Sequence, residues 1–112
     1  MGEHKPGREV DVLVHRALWP EHKVGIDAYI DPSFDKTCRL ELPRYSTDLS
    51  AWDWTREGWH WSVTEWPEGR TGVAVGTGGA LGHFYSEVDG YGFAAQAYAR
   101  CLCVLQWVNE QP

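Results

Sequence analysis

The sequence is poor in the features that would announce a cofactor, a membrane or a nucleic acid. Only three cysteines occur, Cys38, Cys101 and Cys103, too few and too oddly spaced for a disulfide framework or a zinc site. On a helix Cys101 and Cys103 would point ~200° apart, which excludes chelation by that pair. A reducing compartment is the expected setting. No run approaches the ~20 apolar residues of a membrane helix, so no membrane partner is expected. Residues 1–8 carry charges and Pro6 but no apolar stretch, so no signal peptide is expected either. Basic residues are also scarce: ten Lys and Arg against sixteen Asp and Glu leave a net charge of −6. A chain that grips long nucleic acid needs a dense basic face, whereas Arg39, Arg44, Arg56, Arg70 and Arg100 are scattered singly. A small anion in a local arginine pocket is compatible with that total. The five histidines, His4, His15, His22, His60 and His83, show no ligand spacing, and Pro20 breaks the helix between His15 and His22, so no metal is expected. No Ser–His–Asp or Cys–His arrangement stands out, and Asp53 and Glu57 read as solvated helix acids. The expectation is a non-enzyme, with no catalytic residue and no cofactor.

What is present is a globular chain with a surplus of tryptophan. At 112 residues, 43% hydrophobic and 23% charged, residues 1–112 fit one domain that buries roughly two thirds of its extended surface. Seven tryptophans stand at 19, 52, 54, 59, 61, 66 and 107, five of them within fifteen residues. Core mass is the ordinary use of tryptophan, but five so close in sequence cannot share one buried stripe. Trp52 and Trp54 would lie ~200° apart on a helix, so at least one leaves the main core. A planar base or a nicotinamide would stack on such a ring, with arginines for its phosphates. The candidate ligand-binding set is therefore Arg44, Trp52, Trp54, Arg56, Trp59, Trp61 and Arg70. A subunit interface uses the same residue types, and the surplus of large aromatics predicts a homo-oligomer, most simply a two-fold dimer.

Periodicity supplies the elements. Val10, Leu13, Val14, Ala17 and Leu18 recur at helical spacing and predict a helix over 7–18, ended by Trp19-Pro20. Strict alternation over 24–30 predicts an extended segment closed by Asp31-Pro32-Ser33. A short extended piece at 40–42 precedes Pro43. Ser46 or Thr47 reads as an N-cap for a helix over 47–57, with Asp48 in its first turn and Gly58 as its stop. Three strands follow at 59–66, 70–76 and 82–88, joined by short turns into an antiparallel meander. The glycine-rich 75–82 connection lacks the Lys-Ser/Thr of a phosphate loop and reads as a hairpin tip. A long helix over 92–108 closes the chain.

Two strings carry a family resemblance: Gly7-Arg8-Glu9-Val10-Asp11 and Leu42-Pro43-Arg44-Tyr45-Ser46-Thr47-Asp48-Leu49-Ser50-Ala51-Trp52. With the Ala94…Ala97-Tyr98-Ala99-Arg100-Cys101-Leu102 helix, they resemble the phage ABA sandwich family, small proteins of tailed phages and prophages with a Pro-x-Tyr-Ser-Thr-Asp motif. The likeness runs from about 7 to 108. It implies an α+β three-layer sandwich, one small antiparallel sheet with helices on both faces, and brings no catalytic residues. By analogy it also implies a phage accessory protein in the cytoplasm of an infected bacterium. Two functions are compatible. One is counter-defence, by sequestering a nucleotide-derived immune signal such as a cyclic dinucleotide or a cyclic ADP-ribose. The other is inhibition of a host defence protein, or a structural accessory role. The motif also has a purely structural use, in which Tyr45 packs with its hydroxyl bonded and Ser46 or Thr47 caps the next helix.

Overall fold

A computed structural model describes residues 5–52, 59–77 and 83–110. They form an α+β fold of two helices and two antiparallel three-stranded sheets. Helix α1 (Arg8–Leu18) comes first. Strands β1 (Lys23–Val24), β2 (Ala28–Ile30) and β3 (Leu40–Glu41) make a small sheet. A 3₁₀ turn over Leu49–Trp52 leads to the main sheet of β4 (His60–Trp66), β5 (Arg70–Gly76) and β6 (His83–Asp89). Helix α2 (Gly92–Asn109) ends the fold.

The meander and both helices agree with the periodicity. The 24–30 segment does not run as one strand. It doubles back, with Lys23 opposite Ile30 and Val24 opposite Tyr29, and Gly25 N–H donates to Ala28 C=O across the turn. Alternation alone cannot separate one strand from a tight hairpin whose turn keeps the parity. The capping at 46–48 also differs from expectation. Asp48, not Ser46 or Thr47, starts the next turn: its Oδ1 accepts from the Ser50 N–H at 3.0 Å and the Ser50 hydroxyl at 2.7 Å. Ser46 instead serves α1, its Oγ accepting from Gly7 N–H at 2.8 Å and donating to Gly7 C=O. Of the helix expected over 47–57, the part beyond Trp52 lies outside the described residues, as does the tip of the glycine-rich hairpin.

The described helices stack on one side of the main sheet. Helix α2 packs on β5 and β6, while α1 packs on α2 and β1. Among the described residues no helix covers the other face of the main sheet, where Tyr85 is exposed and Arg70 lies beside it. The reason lies in α2, which is buried on two opposite sides. Cys103 reaches the Val73 carbonyl of the sheet at 3.3 Å, whereas Ala97, Cys101 and Val104, all buried, share the opposite side. An 18-residue helix with two apolar faces sits in the middle of a fold and lets α1 stack outside it. The core runs continuously from Val10, Val14 and Leu18 through Ala97, Cys101 and Val104 to Val73, Val75 and Phe84.

A histidine and aromatic cavity at the end of the first helix

The sequence ends α1 beside a proline, and the turn there builds the most organised polar cluster among the described residues. Trp19 N–H still donates to His15 C=O at 2.8 Å, and His22 N–H donates to Trp19 C=O at 3.0 Å. This turn folds His22 back over the last helical turn. Pairing of β1 with β2 then brings Tyr29 against the same ring. His22 is sandwiched, parallel to Trp19 at 5.4 Å and to Tyr29 at 5.1 Å between centroids.

Four polar side chains form a line. Tyr45 Oη lies 2.8 Å from His15 Nδ1, His15 Nε2 lies 2.8 Å from His22 Nδ1, and His22 Nε2 faces Asp31 Oδ2 at 3.5 Å. An ionised carboxylate only accepts, so with both imidazoles in the neutral form Asp31 fixes the direction of the whole line. His22 presents Nε2–H to Asp31, accepts at Nδ1 from His15 Nε2–H, and His15 accepts at Nδ1 from the Tyr45 hydroxyl. Trp19, which can only donate, also hydrogen-bonds Tyr45, and this suits an oxygen whose own proton is committed to His15.

Burial keeps the inner end of the line, His15 and Tyr45, uncharged. Burial, reinforced by the neighbouring His22, lowers the His15 pKa to about 4. Burial raises that of Tyr45 well above the usual phenol range. Asp31 is held below the ordinary carboxylate value, chiefly by the Ser33 hydroxyl. The cluster walls a cavity of about 540 Å³ lined by His15, Trp19, His22, Tyr29, Asp31, Pro43, Tyr45 and Ala51, within the size range of small-molecule sites. Its two histidines stand too close to share a metal ion at normal bond lengths, and no group of metal-binding side chains occurs among the described residues. Nor is an activated thiol at hand: burial pushes Cys103 up to about 11 and Cys101 well above its normal value.

The residues singled out in the sequence are divided by the fold. Trp52 is buried, its Nε1 donating to Tyr45 C=O at 2.8 Å. Trp59 is buried as well, and Trp61 is half-buried beneath Arg100. These three do come together, in an edge-to-face ladder from Tyr45 through Trp52, Trp61 and Trp59 to Trp107, with centroids 5.1–5.9 Å apart. Rings packed edge to face leave Trp52 and Trp59 no open face for a ligand. Arg70 stands at the far end of the sheet, opposite Trp66, stacked over that ring and paired with Glu68 and Glu87. Arg44 is exposed, next to Pro43 in the cavity wall. Trp54 and Arg56 lie outside the described residues. The spacing argument missed His15 and His22 because it treated Pro20 as a separator, when the turn it starts is what joins them. The available signal was the aromatic company at Trp19 and Tyr29.

Comparison with protein-family models, with curated proteins and with solved structures finds no match to this chain.

Proposed function

We propose that this chain is a non-catalytic binding protein that sequesters a small nucleotide-derived ligand, taking the planar ring of that ligand into the His15–His22 cavity. The observation that carries this reading is the cavity itself, walled by aromatic rings and equipped with a line of hydrogen-bonded polar groups. Rings favour a flat heterocycle, and imidazoles with one carboxylate suit its hydrogen-bonding edge rather than a phosphate. The phosphates would stay outside, toward exposed Arg44. Kinship with phage ABA sandwich proteins, the three-layer arrangement it implies and a counter-defence role in an infected bacterium belong to the same proposal. A second reading, docking on a host defence protein, draws on Phe34 and Phe93, 75% and 74% exposed.

Calorimetry with cyclic dinucleotides and cyclic ADP-ribose isomers tests the first reading. The parent should bind at least one of them. Trp19→Ala and Arg44→Ala should each weaken binding by about tenfold or more, since stacking on one ring or one charged contact contributes about 1–3 kcal/mol. No binding by the parent to any of these ligands removes the reading. Binding that survives Trp19→Ala but not Trp54→Ala or Arg56→Ala moves the site to the tryptophan-rich segment.

A further inference from the structure

Among the described residues, strand β4 lies at an edge of the main sheet and its middle is exposed. Ser62, Val63, Thr64 and Glu65 are all exposed, Val63 at 38% although it shares a face with the Val73 that α2 covers. Helix α2 rests on β5 and β6, so β4 projects beyond it. Edge strands are normally blunted by lysine, proline or clustered charge, and His60–Trp66 contains no Lys, Arg or Pro and one glutamate. The opposite outer strand is better guarded: β6 carries Glu87 and Asp89, and the Gln106 amide of α2 donates to its Tyr85 carbonyl at 2.9 Å.

A second observation comes from α2. Arg100 lays its guanidinium over Trp61, 4.9 Å from the ring centroid. It has no ion pair among the described residues, and its Nε is buried without a hydrogen-bond partner. Desolvation lowers its pKa, so the cation is held where water is scarce. A guanidinium in that position is matched by a carboxylate.

We propose that β4 pairs antiparallel with β4 of a second copy of this chain about a two-fold axis at Val63, and that the partner subunit's Glu65 supplies the carboxylate for Arg100. This register pairs all seven residues of His60–Trp66. Directly opposed residues share a face, with Cβ atoms ~4.5–5.5 Å apart, so the partner's Glu65 falls opposite Trp61, on the side where Arg100 lies. The two glutamates are kept apart, and the seam meets charge with opposite charge twice. Glu65 already accepts from Gly92 N–H through Oε2 at 3.2 Å, which leaves Oε1 for the guanidinium. The helices clear each other: β5 and its copy stand three strand spacings apart, ~14 Å, beyond the ~8–10 Å of packed helices. The product is one six-stranded antiparallel sheet with two copies of α2 flanking the seam. It is independent of any ligand in the cavity.

Light scattering and charge reversal test it on the full chain. The parent should run at twice its 12.7 kDa mass. Arg100→Glu and Glu65→Arg should each weaken dimerisation by about tenfold or more, and the double variant should recover it. In a Cys38→Ser background, oxidation should link chains carrying Val63→Cys, whose Cβ atoms meet at the axis. It should not link chains carrying Thr64→Cys, because those positions lie diagonally, ~7–8 Å apart. The cysteine variants keep the test open if a charge reversal impairs folding. A parent that is monomeric at every concentration, a dimer indifferent to both reversals, or a Val63→Cys chain that does not link would overturn the proposal.

Discussion

His15 is the residue at which packing and protonation are tied most closely. It is 2% exposed, bonded at both ring nitrogens, and its pKa falls from 6.5 to about 4 on folding. The depressed value means that the unfolded chain binds the proton first. The associated stability is therefore complete above about pH 6.5 and is lost as pH falls from there toward 4. Denaturant titrations across that window should show a loss on the order of 2 kcal/mol. His15→Gln should flatten the slope, whereas a His15→Gln chain as pH-sensitive as the parent would refute the assignment. His22 and Asp31 lie on the same line, and Asp31 titrates below this window because its own pKa is lowered.

At the scale of the element, β5 shows how one small residue sets a surface. Gly72 sits between Trp66 and Tyr85, and a Cβ there would lie 2.7 Å from Trp66 Cη2. The space above the glycine is what lets both rings lie flat across the uncovered sheet face. Gly72→Ala should lower stability by about 1–3 kcal/mol in a urea melt, whereas Ala74→Gly, two positions on, should cost about 1 kcal/mol or less. The elements themselves were largely legible in the sequence. Val10, Val14 and Leu18 marked α1, and the short turns at 67–69 and 76–82 marked a meander. The hairpin inside 24–30 was hidden because its turn preserves alternation. The second buried side of α2 was hidden because Ala97 and Ala99 look equally apolar in every direction. Of the candidate site, the tryptophans were legible as a group but not as a packed ladder, since only tertiary contact decides which ring face stays open. His15 and His22 were illegible because their meeting depends on the path of a turn.

For the molecule as a whole, one buried acid holds the two ends of the N-terminal half together. Asp11 is 1% exposed. Its Oδ1 accepts from Ser46 N–H at 2.8 Å and its Oδ2 from Arg8 Nη1 at 3.1 Å, while the same Arg8 nitrogen donates to Leu42 C=O. This clasp fixes the 42–46 segment against α1 and so sets the Pro43 and Tyr45 walls of the cavity. Asp11→Ala strands a buried N–H and a half-buried arginine, and should cost about 3–5 kcal/mol. Asp11→Asn keeps one acceptor and should cost less. Equal losses for the two variants in denaturant melts would show that the charge, not the acceptor, carries the clasp.

The stacking of α1 on α2 also dictates an order of events during synthesis. Strands β4, β5 and β6 and then α2 follow one another along the chain and pair with their neighbours, so this half closes through short loops. Val104 comes 90 positions after Val14, and at ribosomal speeds that separation is roughly 5–20 s of elongation. For that interval Val10, Val14 and Leu18 have no α2 to cover them, and a nascent chain carries its most amphipathic helix bare. The first helix made is the last one seated.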